Sequence, residues 1–261
     1  MPRRARQRER RTLDPRRGCV AAATAWLVLC APAVCSASGA SAAPNLATDG
    51  TAAQTLSNLH TLSRWAYPQT AAAVYEQPST RSRVLTHLAF LTSEGQAEPY
   101  LALRSSTIGA LSWVQLSIPG RPNGLTGWVP ASALGEMHTT HEYLRVNRET
   151  LRAELFREHR AIWGAPVGVG RPSLPTPAGH FFITEKLAGF GDPFYGPYLL
   201  GTSAYAPTLT DWPGGGVVGI HGTDEPQLIP GRPSHGCIRL RNRDITKLWR
   251  LVEVGTPVEV V

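Results

Sequence analysis

The chain has 261 residues, 42% of them hydrophobic, with 26 Lys and Arg against 19 Asp and Glu. That length allows one large domain or two small ones. The formal charge of +7 is not spread along the chain, because eight arginines fall within residues 1–17. Setting them aside with Glu9 and Asp14 leaves 18 basic against 17 acidic residues over 43–261, so the formal +7 is no evidence for a nucleic-acid-binding footprint.

The arginine-rich start runs into an apolar run of 17 residues, Cys19 to Cys35, and then into SASGASAAP. Basic, apolar, then small is the order of a secretory signal, and Ala40-Ser41-Ala42 offers a cleavage site before Ala43. Residues 1–42 therefore read as a signal peptide. Left uncleaved, the segment would be a membrane anchor, for which it is short. Either way the protein is exported and meets the membrane only through this segment. Cys19, Cys30 and Cys35 depart with the signal, which leaves Cys237 alone. An exported thiol is open to oxidation, so a single leftover cysteine is intermolecular, reactive, or a small buried apolar group.

Residues 43–66 are rich in Ala, Thr and Ser and read as a linker. From Tyr67 the texture becomes short apolar runs broken by turn residues: AAAVYEQP, RVLTHLAFLT, PYLALR, LSWVQLSIPG and TGWVPASAL. That pattern predicts a small all-β barrel over 67–135. A second domain spans 142–261. YLRVN, ETLRAELFRE and RAIWGAPVGVG read as three strands in a meander. PSLPTPAG is a turn cluster, and Phe181 to Thr184 is the next strand. Residues 187–216 are rich in Gly, Pro and aromatics, including Phe190, Phe194, Tyr195, Tyr198, Tyr205 and Trp212. So long an irregular stretch predicts a functional loop, or lid. Val217 to Ile220 reads as a buried strand, Arg243 to Leu251 as a helix capped by Asn242, and Pro257 to Val261 as a closing strand.

Cys237 lies in Ser234-His235-Gly236-Cys237-Ile238-Arg239-Leu240. As a strand, this places Ile238 and Leu240 toward the core, and His235, Cys237 and Arg239 on the opposite face. Gly236 lets a ligand approach the backbone, and the amides of Gly236 and Cys237 are candidate oxyanion donors. His221 follows the apolar strand VVGI. A thiol needs a base or a cation beside it to become a nucleophile, and these histidines are the candidates. There is no HExxH, no CxxC, no carboxylate cluster and no nucleotide loop, so no metal and no cofactor is expected.

Two resemblances follow from these stretches. The W-V-x-L…RPNG…GWVP segment resembles a bacterial SH3-like domain over residues 67–135. Ile220-His221-Gly222-Thr223, with twelve residues between His221 and Ser234, then SHGCIRL, resembles the L,D-transpeptidase (YkuD-type) catalytic domain over 142–261, with VGVG…PTPAG upstream. The fold implied is mainly β: an SH3-like small barrel, then a YkuD-type β-sandwich with a lid loop and a short C-terminal helix. The resemblance makes Cys237 the nucleophile and His221 the proton acceptor and donor, oriented by the Gly222 carbonyl. It places His235, Arg239, Ser234 and Tyr198 toward substrate, Arg239 as a bidentate partner for a carboxylate. It implies acyl transfer on peptidoglycan stem peptides through a cysteine thioester, giving 3→3 cross-links in the cell wall or at the outer face of the cytoplasmic membrane, and binding of carbapenem inhibitors. Water as acceptor would make the same site an L,D-carboxypeptidase. Two rivals remain. In NlpC/P60-type cysteine endopeptidases the cysteine precedes its histidine, whereas here every histidine precedes Cys237. A non-catalytic wall-binding protein would have no reason to keep an oxidisable thiol.

Overall fold

The computed structural model describes residues 53–189, 191–210 and 213–261. The expected signal segment lies outside them, as do residues 43–52 of the expected linker and Phe190, Asp211 and Trp212. The described residues form two β-sheets and one α-helix.

The first sheet is antiparallel and runs Val84–His87, Ala73–Tyr75, Thr126–Pro130, Leu111–Ser117, Tyr100–Ile108, Ser63–Ala66, His138–Thr140. Gln54–Thr55 also pairs onto Tyr100–Ile108. The five apolar runs between 67 and 135 are each a strand. In Leu111–Ser117 the side chains of Trp113, Val114 and Leu116 are all buried, so the strand is covered on both faces. Ala66, Val74, Tyr100, Leu116 and Val129 form the local core.

The linker reading of 43–66 is corrected at its C-terminal end. Ser63–Ala66 is an interior strand of this sheet, with Trp65 and Ala66 buried. Serine and threonine suggested a tether, but here the hydroxyls satisfy backbone. Ser57 Oγ donates to Ala102 O (2.5 Å) and accepts from Arg64 N (2.8 Å). Hydrogen bonds of this kind offset the desolvation of a buried hydroxyl.

The second sheet runs Arg160–Pro166, Arg152–Arg157, Glu142–Asn147, Pro257–Val260, Gly179–Ala188, Tyr198–Tyr205, Val217–His221, Ile238–Arg239, Gly168–Gly170, Gly231–Ser234. The meander begins as expected, but RAIWGAPVGVG is two strands. Pro166 lacks the N–H that a continuing ladder needs. The chain then crosses over, and Gly168–Gly170 pairs with Gly231–Ser234 and with Ile238–Arg239.

The stretch 187–216 is likewise not one irregular loop. Tyr198–Tyr205 is an eight-residue strand inside the sheet, buried from Leu200 to Ala204. Its small polar composition disguised it. Thr202 Oγ1 donates to Val218 O (2.5 Å), and Ser203 Oγ accepts from Phe182 N (3.1 Å), so both hydroxyls serve neighbouring strands. Gly201 is needed for space, since a Cβ there would lie 2.5 Å from the Glu185 side chain.

The helix is Asn242–Leu251, with Ile245 and Leu248 buried in the main core. Asn242 is not its N-cap, which is Arg241. The Asn242 side chain is used elsewhere, as described below. The two sheets meet through Trp65 and Leu101 of the first and Phe182 of the second.

Candidate active site

Two short parallel strands organise the site. Val217–His221 lies beside Ile238–Arg239, with Ile220 opposite Ile238 and His221 opposite Arg239. Ile220, Ile238 and Leu240 are at most 1% exposed, which fixes this register in the core. The neighbours of these strands open into a cleft. It is lined by His221, Ser234, His235, Gly236, Cys237 and Arg239, and by Phe194, Tyr195, Ala206, Leu209 and Gly216 to Val218.

His221 is 1% exposed. Its Nδ1 lies 2.7 Å from the Gly222 carbonyl oxygen. A carbonyl only accepts, so Nδ1 carries the hydrogen and Nε2 the lone pair. Nε2 is buried and has no hydrogen-bond partner among the described residues. Burial pushes the His221 pKa down to about 4, against the Gly222 hydrogen bond and with help from the Arg239 charge. At neutral pH the ring is therefore an uncharged base. The rings of Tyr195 (5.1 Å) and Phe194 (5.8 Å) pack against it.

The supports of His221 explain the glycines around it. Asn242 Oδ1 accepts from Thr223 N (2.8 Å), which ties the turn after His221 to the start of the helix. A Cβ on Gly222 would lie 2.3 Å from that oxygen.

Cys237 is half-buried. Burial raises its thiol pKa; a backbone hydrogen bond at Gly219 and the Arg239 charge act against that rise. The resting pair is thus a neutral thiol and a neutral imidazole. The loop before Cys237 is held by two hydroxyls. Ser234 Oγ accepts from Gly236 N (3.1 Å) and donates to Cys237 O (2.5 Å). Thr176 Oγ1 accepts from Gly170 N (2.9 Å) and donates to Gly236 O (2.7 Å). Gly236 has φ +127°, a conformation that other residues rarely adopt.

These bonds correct one expectation. The Gly236 amide is aimed at Ser234, so it is not an oxyanion donor, and the 1%-exposed Ser234 holds the loop with its hydroxyl. Arg239 is buried in the wall. Its Nη1 is 3.0 Å from Glu225 Oε2, its guanidinium lies 4.5 Å from the Phe194 ring centroid, and its buried Nε has no partner among the described residues. An internal carboxylate already holds one edge of the fork that the sequence assigned to substrate. His235 is half-buried in the lining, its pKa lowered by burial and by Arg171 and Arg239. Tyr198 is not among the lining residues and stacks on Trp249 of the helix at 4.8 Å.

Sequence reasoning missed Thr176, Asn242 and Glu225. The PTPAG run had flagged the neighbourhood of Thr176, but neither Asn242 nor Glu225 carries a local signal. What the cleft presents is a thiol, a base with a fixed tautomer, and a buried cation beside them. That set suits nucleophilic acyl transfer.

The YkuD family, the L,D-transpeptidase catalytic domain, matches residues 141–260. The YkuD protein of Bacillus subtilis is 30% identical over 152 residues, 58% of this chain and 77% of that one. The chain belongs to the YkuD L,D-transpeptidase family. The YkuD protein of Bacillus licheniformis is 36% identical over 115 residues, 44% of this chain and 61% of that one, so less than two thirds of that relative is spanned. A crystal structure of an Enterococcus faecium L,D-transpeptidase aligns at 30% identity and a TM-score of 0.35, covering 46% of this chain and 49% of that one. His221 and Cys237, the two residues singled out in the sequence by IHGT and SHGCIRL, both line the cleft.

Proposed function

We propose that this chain is a peptidoglycan L,D-transpeptidase that forms 3→3 cross-links through a thioester on Cys237. The observation that carries this reading is His221. Its Nδ1–H is locked on the Gly222 carbonyl and its unpartnered Nε2 shares the cleft with the thiol. Family membership supports the same assignment.

In this reaction Cys237 Sγ attacks the carbonyl between the third-position diamino acid and the terminal D-alanine of a tetrapeptide stem. The thiol proton passes to His221 Nε2, and the imidazolium returns it to the departing D-alanine amine. An amine of a second stem then attacks the thioester and frees the thiol. The Cys237 amide is the oxyanion donor that remains once Gly236 is bonded to Ser234, and losing such a donor costs about 10²–10³ in rate. The buried Arg239 charge favours thiolate as it forms. β-Lactams of the carbapenem type would acylate the same thiol.

The N-terminal sheet is read here as an SH3-like wall-binding domain, and the basic-apolar start as an export signal that delivers the enzyme to the cell wall. Mass spectrometry of the protein with a disaccharide-tetrapeptide tests the central claim, with Cys237→Ala alongside. A cysteine-dependent adduct lacking D-alanine, followed by cross-linked dimer, is expected. An adduct that decays only to tripeptide would make the enzyme a carboxypeptidase. No adduct at all would return the chain to a binding role.

A further inference from the structure

Part of the cleft lining comes from either side of a loop: Ala206 and Leu209 entering it, Gly216 and Val217 leaving. Ala206 N donates to Gly216 O (2.8 Å) and closes the loop at its neck. What holds it from outside belongs to the first sheet. The turn following Leu111–Ser117 carries Arg121 and Asn123, and both reach across to the loop.

Arg121 Nη1 donates to Gly215 O (2.9 Å). Its Nη2 donates to Leu209 O (2.9 Å) and to Ala206 O (3.0 Å), and its Nε to Ala206 O (3.3 Å). The guanidinium lies 4.9 Å from the centroid of the Tyr205 ring. Asn123 Nδ2 donates to Tyr205 O (2.8 Å), and Tyr205 N donates to Asn123 Oδ1 (2.9 Å). Gly216 fits the fork closely, since a Cβ there would lie 2.6 Å from Arg121 Nη2. One planar fork thus spans both arms of the loop, a task a lysine ammonium cannot reproduce. Docking of the two sheets does not depend on this clamp, because Trp65, Leu101 and Phe182 and the Thr92 bond to Glu185 join them independently.

We infer that Arg121 and Asn123 are positioning residues for the acyl-transfer site, through which the N-terminal sheet fixes the wall of the cleft against which the stem peptide binds. The clamp itself is independent of the transpeptidase reading; only its effect on substrate rests on it.

The test uses the full-length chain, an Arg121→Ala/Asn123→Ala variant and Arg121→Lys. Hydrogen exchange is followed by mass spectrometry. Peptides over 205–210 and 214–218 should exchange at least tenfold faster in the double variant, and those over 142–147 should not change. Alkylation of the Cys237 peptide by a bulky maleimide should rise relative to iodoacetamide, a readout that needs no substrate. The kcat/KM for thioester formation should fall about tenfold, chiefly through KM, with an unchanged urea midpoint. Arg121→Lys should restore only part of each. Unchanged exchange, or an unchanged ratio of bulky to small alkylation, overturns the inference whether or not the wild type takes the tetrapeptide. Faster exchange with unaltered kcat/KM overturns the positioning role. A wild type that alkylates normally but forms no thioester instead overturns the transpeptidase reading.

Discussion

Replacing Glu98 by Gln should make the protein more stable at alkaline pH and leave it unaided in acid. Glu98 and Glu185 face each other between the sheets, 8% and 4% exposed, in a small cavity with Thr184, Thr202 and Tyr205. Burial, and then the neighbouring Glu185 charge, raise the Glu98 pKa from 4.5 to about 7. Burial raises Glu185 as well, opposed by the Thr92 hydroxyl that donates to it at 2.7 Å. Between pH 4.5 and 7 the folded state therefore holds a proton that the unfolded chain has lost. Stability then falls as pH rises through that window. At ~1.4 kcal/mol per pH unit the gap amounts to about 3 kcal/mol by pH 8. Glutamine never ionises, so the variant escapes that loss. Urea unfolding of both proteins from pH 4 to 8.5 should give a stability difference that is constant in acid and moves about 3 kcal/mol in favour of the variant by pH 8. That corresponds to a melting shift of roughly 6–12 °C for a chain of this size. The difference is the quantity to follow, because His221 pulls the wild-type curve the other way between about 4 and 6.5. A difference independent of pH would refute the argument that the pair is buried at the cost of its charge.

The thiol of Cys237 should alkylate slowly at neutral pH, with a rate still rising above the ordinary thiol range; a plateau reached by pH 7 would show a preformed ion pair instead. For thioester formation, the acidic limb of the pH–rate profile should fall near 4, the pH at which His221 Nε2 becomes protonated. His221→Asn should remove that limb and lower the rate by about 10²–10⁴. Ser234→Ala strands the Gly236 amide and the Cys237 carbonyl, so it should cost about 1–3 kcal/mol in urea unfolding and slow acylation. Phe182→Ala empties the apolar contact between the sheets and should cost about 3–5 kcal/mol; a loss below 1 kcal/mol would mean the sheets are held by polar contacts instead.

The sequence revealed chemistry more readily than path. His221 and Cys237 were legible because the spacing of IHGT and SHGCIRL is a local pattern, and the strand alternation put Ile238 and Leu240 into the core, where both lie. Tyr198–Tyr205 was not legible as a strand, because its hydroxyls bond to strands that are distant in sequence and composition alone does not reveal such partners. Ser63–Ala66 was hidden because the Ala-, Thr- and Ser-rich stretch leading into it reads as a tether. Gly236 illustrates the opposite failure. Its sequence position suited an oxyanion donor, but its N–H is taken up by the Ser234 hydroxyl, a bond the residue pattern does not reveal. Asn242 suited a helix cap until a turn nineteen residues upstream in the chain claimed its side chain.

The strand Pro257–Val260 lies between Glu142–Asn147 and Gly179–Ala188, with Val258 paired to Leu144 on one side and to Phe181 on the other. It is the wedge that joins the meander to the half of the sheet bearing His221 and Cys237. Until it arrives, two interior edges of that sheet stand open, and open edges invite pairing with other chains. Contacts so distant in sequence also form late. The sheet that carries His221 and Cys237 is therefore incomplete until residues 257–260 have joined it.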